Sequence, residues 1–329
     1  MKLGIVGNGG IVKEALKALR NQKIGVTALW CRNEEHGKPL KEEYGIPSLY
    51  TDYEAFLKDE SFDTVYVGLI NSLHYEYALQ AINAGKNVIV EKPLTSDYKQ
   101  AKTLLDTALE KNVMLFEAIM SRYSQNYTEI MMHLDEIGDP KLIISNYSQY
   151  SRRYDAYKNH QVLPAFDPKM AGGSLYDLNV YNVHFITGIF GAPKFAWYTA
   201  NKGFNDIDTS GVLLMDYGNM KAVCTAAKDS MSPSGTVIQG DEGYIVVRSR
   251  PGIVKNITLH RNRDNTDTVL DVKEEIPMEQ EFHRIEQVID NHQDGIALGW
   301  MNHSLQAMMV LDNARKDIDL KFPCDDTNE

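Results

Sequence analysis

A chain of 329 residues is long enough for two ordinary domains, each with its own core. With 43% hydrophobic and 24% charged residues it is neither disordered nor fibrous. Its 34 basic and 45 acidic side chains leave a net charge of −11, which disfavours a nucleic-acid partner, and no run reaches the roughly 18 apolar residues of a membrane span.

Cys31, Cys224 and Cys324 are too widely spaced for a disulfide framework or a zinc knuckle. The nine histidines include no His-x-x-x-His pair, so no metal site is expected. The N-terminus lacks a signal-peptide h-region, and a cytoplasmic location is the expectation.

Taken in order, residues 3–6 read as a buried strand, followed by Gly7-Asn8-Gly9-Gly10-Ile11-Val12 and a helical stretch from Lys13 to Arg20. This is the strand, glycine turn and helix of a dinucleotide-binding fingerprint. Gly7 permits the tight turn, Gly9 lets the backbone approach a pyrophosphate, and the helix N-terminus supplies oriented donors. Val12 is off pattern, standing where a small residue normally allows close packing. A second strand, Ile24 to Cys31, ends at Arg32, where an arginine accommodates the 2′-phosphate of NADP and an acid would favour NAD. NADP is therefore expected, with NAD as the alternative.

A short helix over 52–57 and a buried strand over 62–70 follow, then Asn71-Ser72-Leu73-His74 and a helix ending at Gly85. Asn71 is placed to line the nicotinamide side; His74 opens a helix and serves packing, capping or the cofactor. Val88-Ile89-Val90 is a buried strand ending in Glu91-Lys92-Pro93. Ligands bind beyond the carboxyl ends of such strands, so Lys92 sits where its ammonium, partly desolvated, can move protons. Thr95-Ser96-Asp97 caps a helix running to Lys111, and 113–119 is a further strand. The alternation predicts a doubly wound parallel (Rossmann) sheet over residues 1–120.

The pattern then changes. Alternation over 141–151 and short runs at 195–200, 211–217, 220–226, 234–239, 243–248 and 256–261 predict a mostly antiparallel sheet with one open face. Residues 121–329 thus read as an α+β domain for substrate binding and oligomerisation, closed by helices at 279–292 and 302–316. An open face makes a homodimer or higher homo-oligomer the expectation. Tyr147, Tyr150, Tyr154 and Tyr157 line a pocket or an interface, and the acidic tail 325–329 reads as disordered.

In Gly172-Gly173-Ser174-Leu175-Tyr176-Asp177, the glycines give a flexible approach and a helix begins near Ser174. Asp177, Tyr181 and His184, spaced i, i+4 and i+7, then share one face. An acid, a phenol and an imidazole together can bind and deprotonate a hydroxyl. Equally, Ser174 and Asp177 form a capping box, with Tyr181 and His184 as packing.

Across nearly its whole length the chain resembles the Gfo/Idh/MocA family of NAD(P)-dependent oxidoreductases. The carrying residues are the Gly7 to Val12 loop, Asn71-x-x-His74, Ala84-Gly85-Lys86 leading to Glu91-Lys92-Pro93, and Gly172-Gly173 leading to Asp177 and Tyr181. Phe116-Glu117-Ala118 leading to Arg122-Tyr123 is similar to the dimeric dihydrodiol dehydrogenase subgroup, as is Tyr181 where histidine is commoner. Val12, and Asn179 in place of a usual glycine, are departures. The resemblance implies hydride transfer between NADP(H), or NAD(H), and a CH–OH or C=O group of a sugar-like or cyclic diol substrate. It makes Lys92, Tyr181 and Asp177 catalytic. Tyr181 would be the proton donor or acceptor, with Lys92 as the cation favouring its phenolate; Asp177 would orient the substrate. Gly7 to Val12, Arg32, Asn71, His74, Glu91 and Lys92 would serve the cofactor, Glu91 more as a structural acid, and His184 and Arg122 would join the substrate side. The fold also admits an NAD-dependent glycosidase, marked by hydrolysis without net nicotinamide reduction, and a non-catalytic dinucleotide-sensing regulator.

Overall fold

The computed structural model of the chain describes residues 1–273 and 276–326. The chain divides into two compact units, Met1–Ala118 with Met278–Leu305, and Ile119–Pro277 with the segment from Gln306 onward. Residues 278–305, which a single boundary at 120 assigns to the second domain, belong with the first unit. There Phe282 packs edge-on against Tyr66 at 5.5 Å and Trp300 against Phe116 at 6.1 Å.

The first unit runs β1 (Lys2–Val6), α1 (Gly10–Gln22), β2 (Gly25–Trp30), α2 (Glu34–Tyr44), β3 (Ser48–Tyr50), α3 (Tyr53–Leu57), β4 (Thr64–Val67), α4 (His74–Asn83), β5 (Asn87–Glu91), α5 (Tyr98–Lys111) and β6 (Leu115–Ala118). Its sheet is parallel throughout, in the order β3-β2-β1-β4-β5-β6. The winding direction therefore reverses between β1 and β4, the switch point at which such sheets bind ligands. β4 and β6 are buried along their whole length, as apolar strands covered on both faces must be. Asn33, Asp52 and Asp97 accept from the N–H groups of Glu35, Glu54 and Gln100 and so start α2, α3 and α5.

The second unit begins with α6 (Met120–Tyr123), α7 (Gln125–Met132), β7 (Pro140–Ser148) and α8 (Tyr154–Lys158). A π-helical turn at Leu175–Asn179 runs into α9 (Val180–Phe190). There follow β8 (Phe195–Lys202), β9 (Asp208–Asp216), β10 (Lys221–Ala227), β11 (Gly235–Gly240), β12 (Gly243–Val247), β13 (Ile257–Arg261) and β14 (Thr266–Val269). Next in the chain come α10 (Pro277–Asp290) and α11 (Asp294–Asp317), of which Met278–Leu305 belong to the first unit, and then α12 (Pro323–Asp326) in the second. The strand order is β14-β13-β12-β11-β7-β10-β9-β8, antiparallel except for the parallel pair β7 and β10.

The period of two sorts this sheet into two faces. Leu213, Cys224, Ser145, Thr236, Val247 and Ile257 pair successively across six strands and are buried. Their neighbours Trp197, Leu214, Val223, Ile144, Val237, Val246, Thr258 and Val269 form the opposite row across all eight strands. In that row Trp197, Leu214, Ile144 and Val269 are exposed.

The chain's acidic end is anchored through Asp325, contrary to the disorder expected from that residue onward. Both of its carboxylate oxygens accept from the Arg315 guanidinium at 2.7 Å, and one accepts from Phe322 N–H. Residues 327–329 lie outside the described residues. No described helix is long and apolar enough to cross a membrane, and no group of three or more His, Cys, Asp or Glu among the described residues could hold a metal.

Candidate active site

In the first unit, Gly7 follows β1 with φ +115°, and a Cβ on it would lie 2.5 Å from the Gly68 carbonyl at the end of β4. Only glycine suits that conformation and that approach. Gly9 is the N-cap of α1 without a side chain to satisfy the first N–H groups, and Gly9 and Gly10 face open space. Bare donors, the positive end of a 13-residue helix and room for an anion fit a dinucleotide pyrophosphate. Asn8 and Ile11 are half-buried beside them. Val12 is fully buried and packs inward. A Cβ on Gly68 would stand 2.7 Å from Val12 Cγ2, so the bulk added at position 12 is removed at position 68.

Arg32 is exposed just past β2, and its neighbour Asn33 is committed to capping α2. Asn71 is half-buried in a 3₁₀ turn after β4. The His74 ring is fully buried, its Nδ1 2.8 Å from the Pro93 carbonyl and its Nε2 3.2 Å from that of Leu69. Burial lowers its pKa. Both ring nitrogens face backbone carbonyls, so His74 ties the loop after β4 to the loop after β5. Glu91 is 6% exposed and accepts from the Tyr66 hydroxyl at 2.7 Å; burial pushes its carboxyl up to about 7. It too is a buried structural acid. Between these anchors lies half-buried Lys92, joined to Pro93 by a cis peptide, and Leu94 N–H donates to Glu117 at 2.8 Å.

In the second unit, Gly172-Gly173 is a tight junction, where a flexible approach was expected. A Cβ on Gly172 would lie 2.6 Å from the Pro164 carbonyl, and one on Gly173, where φ is +104°, only 2.0 Å from Asp208 Oδ1. Asp208 of β9 is fully buried; its Oδ2 accepts from Leu175 N–H at 2.6 Å and from the Tyr198 hydroxyl at 2.9 Å, and burial pushes its pKa up to about 6. A Ser174 capping box would satisfy the Asp177 N–H, but that group donates to the Gly173 carbonyl at 3.2 Å, and the Ser174 side chain makes no cap.

The π-helical turn also changes the helix face. Its extra residue breaks the uniform α-helical spacing on which a stripe of Asp177, Tyr181 and His184 depends. The Asp177 side chain is 36% exposed, Tyr181 is 9% exposed, and His184 is 1% exposed within a buried run from Val180 to Thr187. His184 is thus buried in the core of α9. Tyr181 packs 5.6 Å from the Tyr147 ring, and Gly252 leaves room for it: a Cβ there would come within 2.9 Å. The Arg250 guanidinium lies 3.3 Å from the Tyr147 hydroxyl, bringing a cation into this cluster. Arg122 is half-buried in α6.

Sequence reasoning missed Lys228. One residue past β10 and 2% exposed, it donates to Asp177 Oδ2 at 2.7 Å and to the Ala165 carbonyl at 2.6 Å, over the Phe166 ring. The only signal was a lysine closing a buried strand.

A family model described as "Oxidoreductase family, NAD-binding Rossmann fold" matches residues 1–119. Over 75% of its length the chain is 33% identical to trans-1,2-dihydrobenzene-1,2-diol dehydrogenase of Xenopus tropicalis, of which 75% is covered. The chain belongs to the Gfo/Idh/MocA oxidoreductase family. A second relative, scyllo-inositol 2-dehydrogenase (NADP(+)) of Bacillus subtilis, is 28% identical over 99% of both chains. The Gfo/Idh/MocA assignment agrees with the fold of a 3-ketoreductase from Actinomadura kijaniata, solved with NADP and TDP-benzene. That structure superposes with a TM-score of 0.85 at 22% identity, covering 96% of this chain and 97% of the other.

Proposed function

We propose that this chain transfers a hydride between NADP(H) and a CH–OH carbon of a sugar-like or cyclic polyol. The observation that carries the reading is the glycine-lined N-terminus of α1 at the switch point of a doubly wound sheet, in a chain aligned almost end to end with an NADP⁺-dependent inositol dehydrogenase. Gly7 to Gly10 and Ile11 would hold the pyrophosphate, Asn71 would line the nicotinamide side, and Arg32 would meet the 2′-phosphate. When bound, NADP⁺ supplies the hydride acceptor.

Tyr181 takes the proton from the substrate hydroxyl in oxidation and returns it in reduction. A phenol starts near pKa 10 and needs a cation to favour its phenolate, the role assigned to Lys92. Asp177, with one oxygen held by Lys228, orients the substrate. Arg122 is proposed on the substrate side.

The apolar row across the second sheet supports a homodimer through that face. Three buried, unlinked thiols support a reducing compartment, the cytoplasm. A thermal-shift comparison of NADP⁺ with NAD⁺ tests the cofactor assignment. Greater stabilisation by NADP⁺ is expected, and stabilisation by NAD⁺ alone would contradict it.

A further inference from the structure

We propose that Lys228 is the positioning residue of the substrate site: it keeps Asp177 ionised and fixes one of its oxygens, so that the carboxylate meets a substrate hydroxyl in one orientation. This rests on the reading that Asp177 acts on the substrate.

Lysine is almost never fully buried unless paired, and Lys228 is 2% exposed. Its ammonium has three donors. One goes to the Ala165 carbonyl at 2.6 Å and one to Asp177 Oδ2 at 2.7 Å, while the Phe166 ring lies 4.6 Å beneath. The ammonium is thus fixed from its buried side by backbone and ring, and it is Asp177, one-third exposed, that is held by it. The π-helical turn carrying Asp177 is anchored independently, at Leu175 N–H, by Asp208. Asp208, which also accepts from the Tyr198 hydroxyl, is the second carboxylate within the field of Lys228.

A purely structural lysine, closing the loop over Ala165, needs only its hydrogen bonds; a positioning lysine needs its charge. Lys228→Gln keeps donors and removes the charge, Lys228→Met removes both, and Lys228→Arg keeps both. The measurement is a carbon-detected NMR titration of side-chain carboxyls in the full chain, which resolves Asp177 from Asp208, with Asp177 assigned by its loss in Asp177→Asn. In Lys228→Gln and Lys228→Met the Asp177 titration should rise by at least about one pH unit, the effect of losing a cation within hydrogen-bond distance. Lys228→Arg should restore it. An Asp177 titration in Lys228→Gln that matches the wild type overturns the proposal, and the glutamine variant keeps the test open if the methionine variant does not fold. The underlying reading is tested separately. If Asp177→Asn oxidises polyol as the wild type does, that reading fails and the proposal falls with it; if Asp177→Asn is inactive while the Lys228→Gln titration is unmoved, only the role of Lys228 falls.

Discussion

Val12 Cγ2 occupies the space that a Cβ on Gly68 would need, the two atoms falling 2.7 Å apart. The residue that departs from the dinucleotide loop pattern is therefore accommodated on the neighbouring strand end. Gly68→Ala should destabilise the chain by about 1–3 kcal/mol, the cost of overpacking a filled site. Adding Val12→Ala should recover much of that loss, giving strong non-additivity in urea unfolding. Additive losses would show that the two residues do not share this space.

Arg32 is exposed where the 2′-phosphate of NADP would lie. Arg32→Ala should weaken NADP⁺ binding about 10- to 100-fold, the worth of a charge-assisted hydrogen bond, and leave NAD⁺ binding nearly unchanged. Isothermal titration with both dinucleotides reads this directly.

Glu91 and Glu281 are buried, and burial, more than their mutual repulsion, raises both carboxyls, Glu91 from an ordinary 4.5 to about 7. With the folded-state value above the unfolded one, the folded chain holds more protons between those limits. The contribution to stability is fully present below pH 4.5 and is lost as the pH rises through about 7. Glu281→Gln should lessen that decline by about 1–2 kcal/mol, seen as urea midpoints at a series of pH values. A decline unchanged in the variant would exclude this pair as its source.

Trp197 and Ile144 are exposed on the open sheet, in the apolar row that runs from β8 to β14. If the proposed homodimer forms through this face, paired substitutions Trp197→Glu and Ile144→Asp should convert it to monomers in sedimentation velocity, since unpaired charge buried in an apolar interface is strongly disfavoured. A dimer that persists would place the interface elsewhere.

Periodicity was enough to read β1, β5 and α5 and nearly all strands of the second sheet, because burial on one or both faces writes itself into the spacing of apolar residues. It was not enough for α2, which carries Pro39 inside it, or for β3, only three residues long. Nor could helix periodicity say which unit buries residues 278–305, since an amphipathic face records that it is covered and not by what. For the site, motif spacing pointed to Lys92, Asp177 and Tyr181 as candidates. The π-helical turn, the Asp208 anchor and Lys228 were hidden because each depends on contacts made 33 or 51 positions away in the chain.

The central proposal is hydride transfer from a hydroxyl-bearing substrate to NADP⁺, with Tyr181 taking the hydroxyl proton and Lys92 supplying the cation that favours its phenolate. Its most direct measurement is NADP⁺ reduction at the nicotinamide band with scyllo-inositol and trans-1,2-dihydrobenzene-1,2-diol, for the wild type, Lys92→Met and Tyr181→Phe. The wild type should reduce NADP⁺ with at least one of them, and each variant should lose at least about 10²-fold in turnover while binding NADP⁺ as before. Full turnover in either variant, or no reduction by the wild type with either compound, would contradict the account.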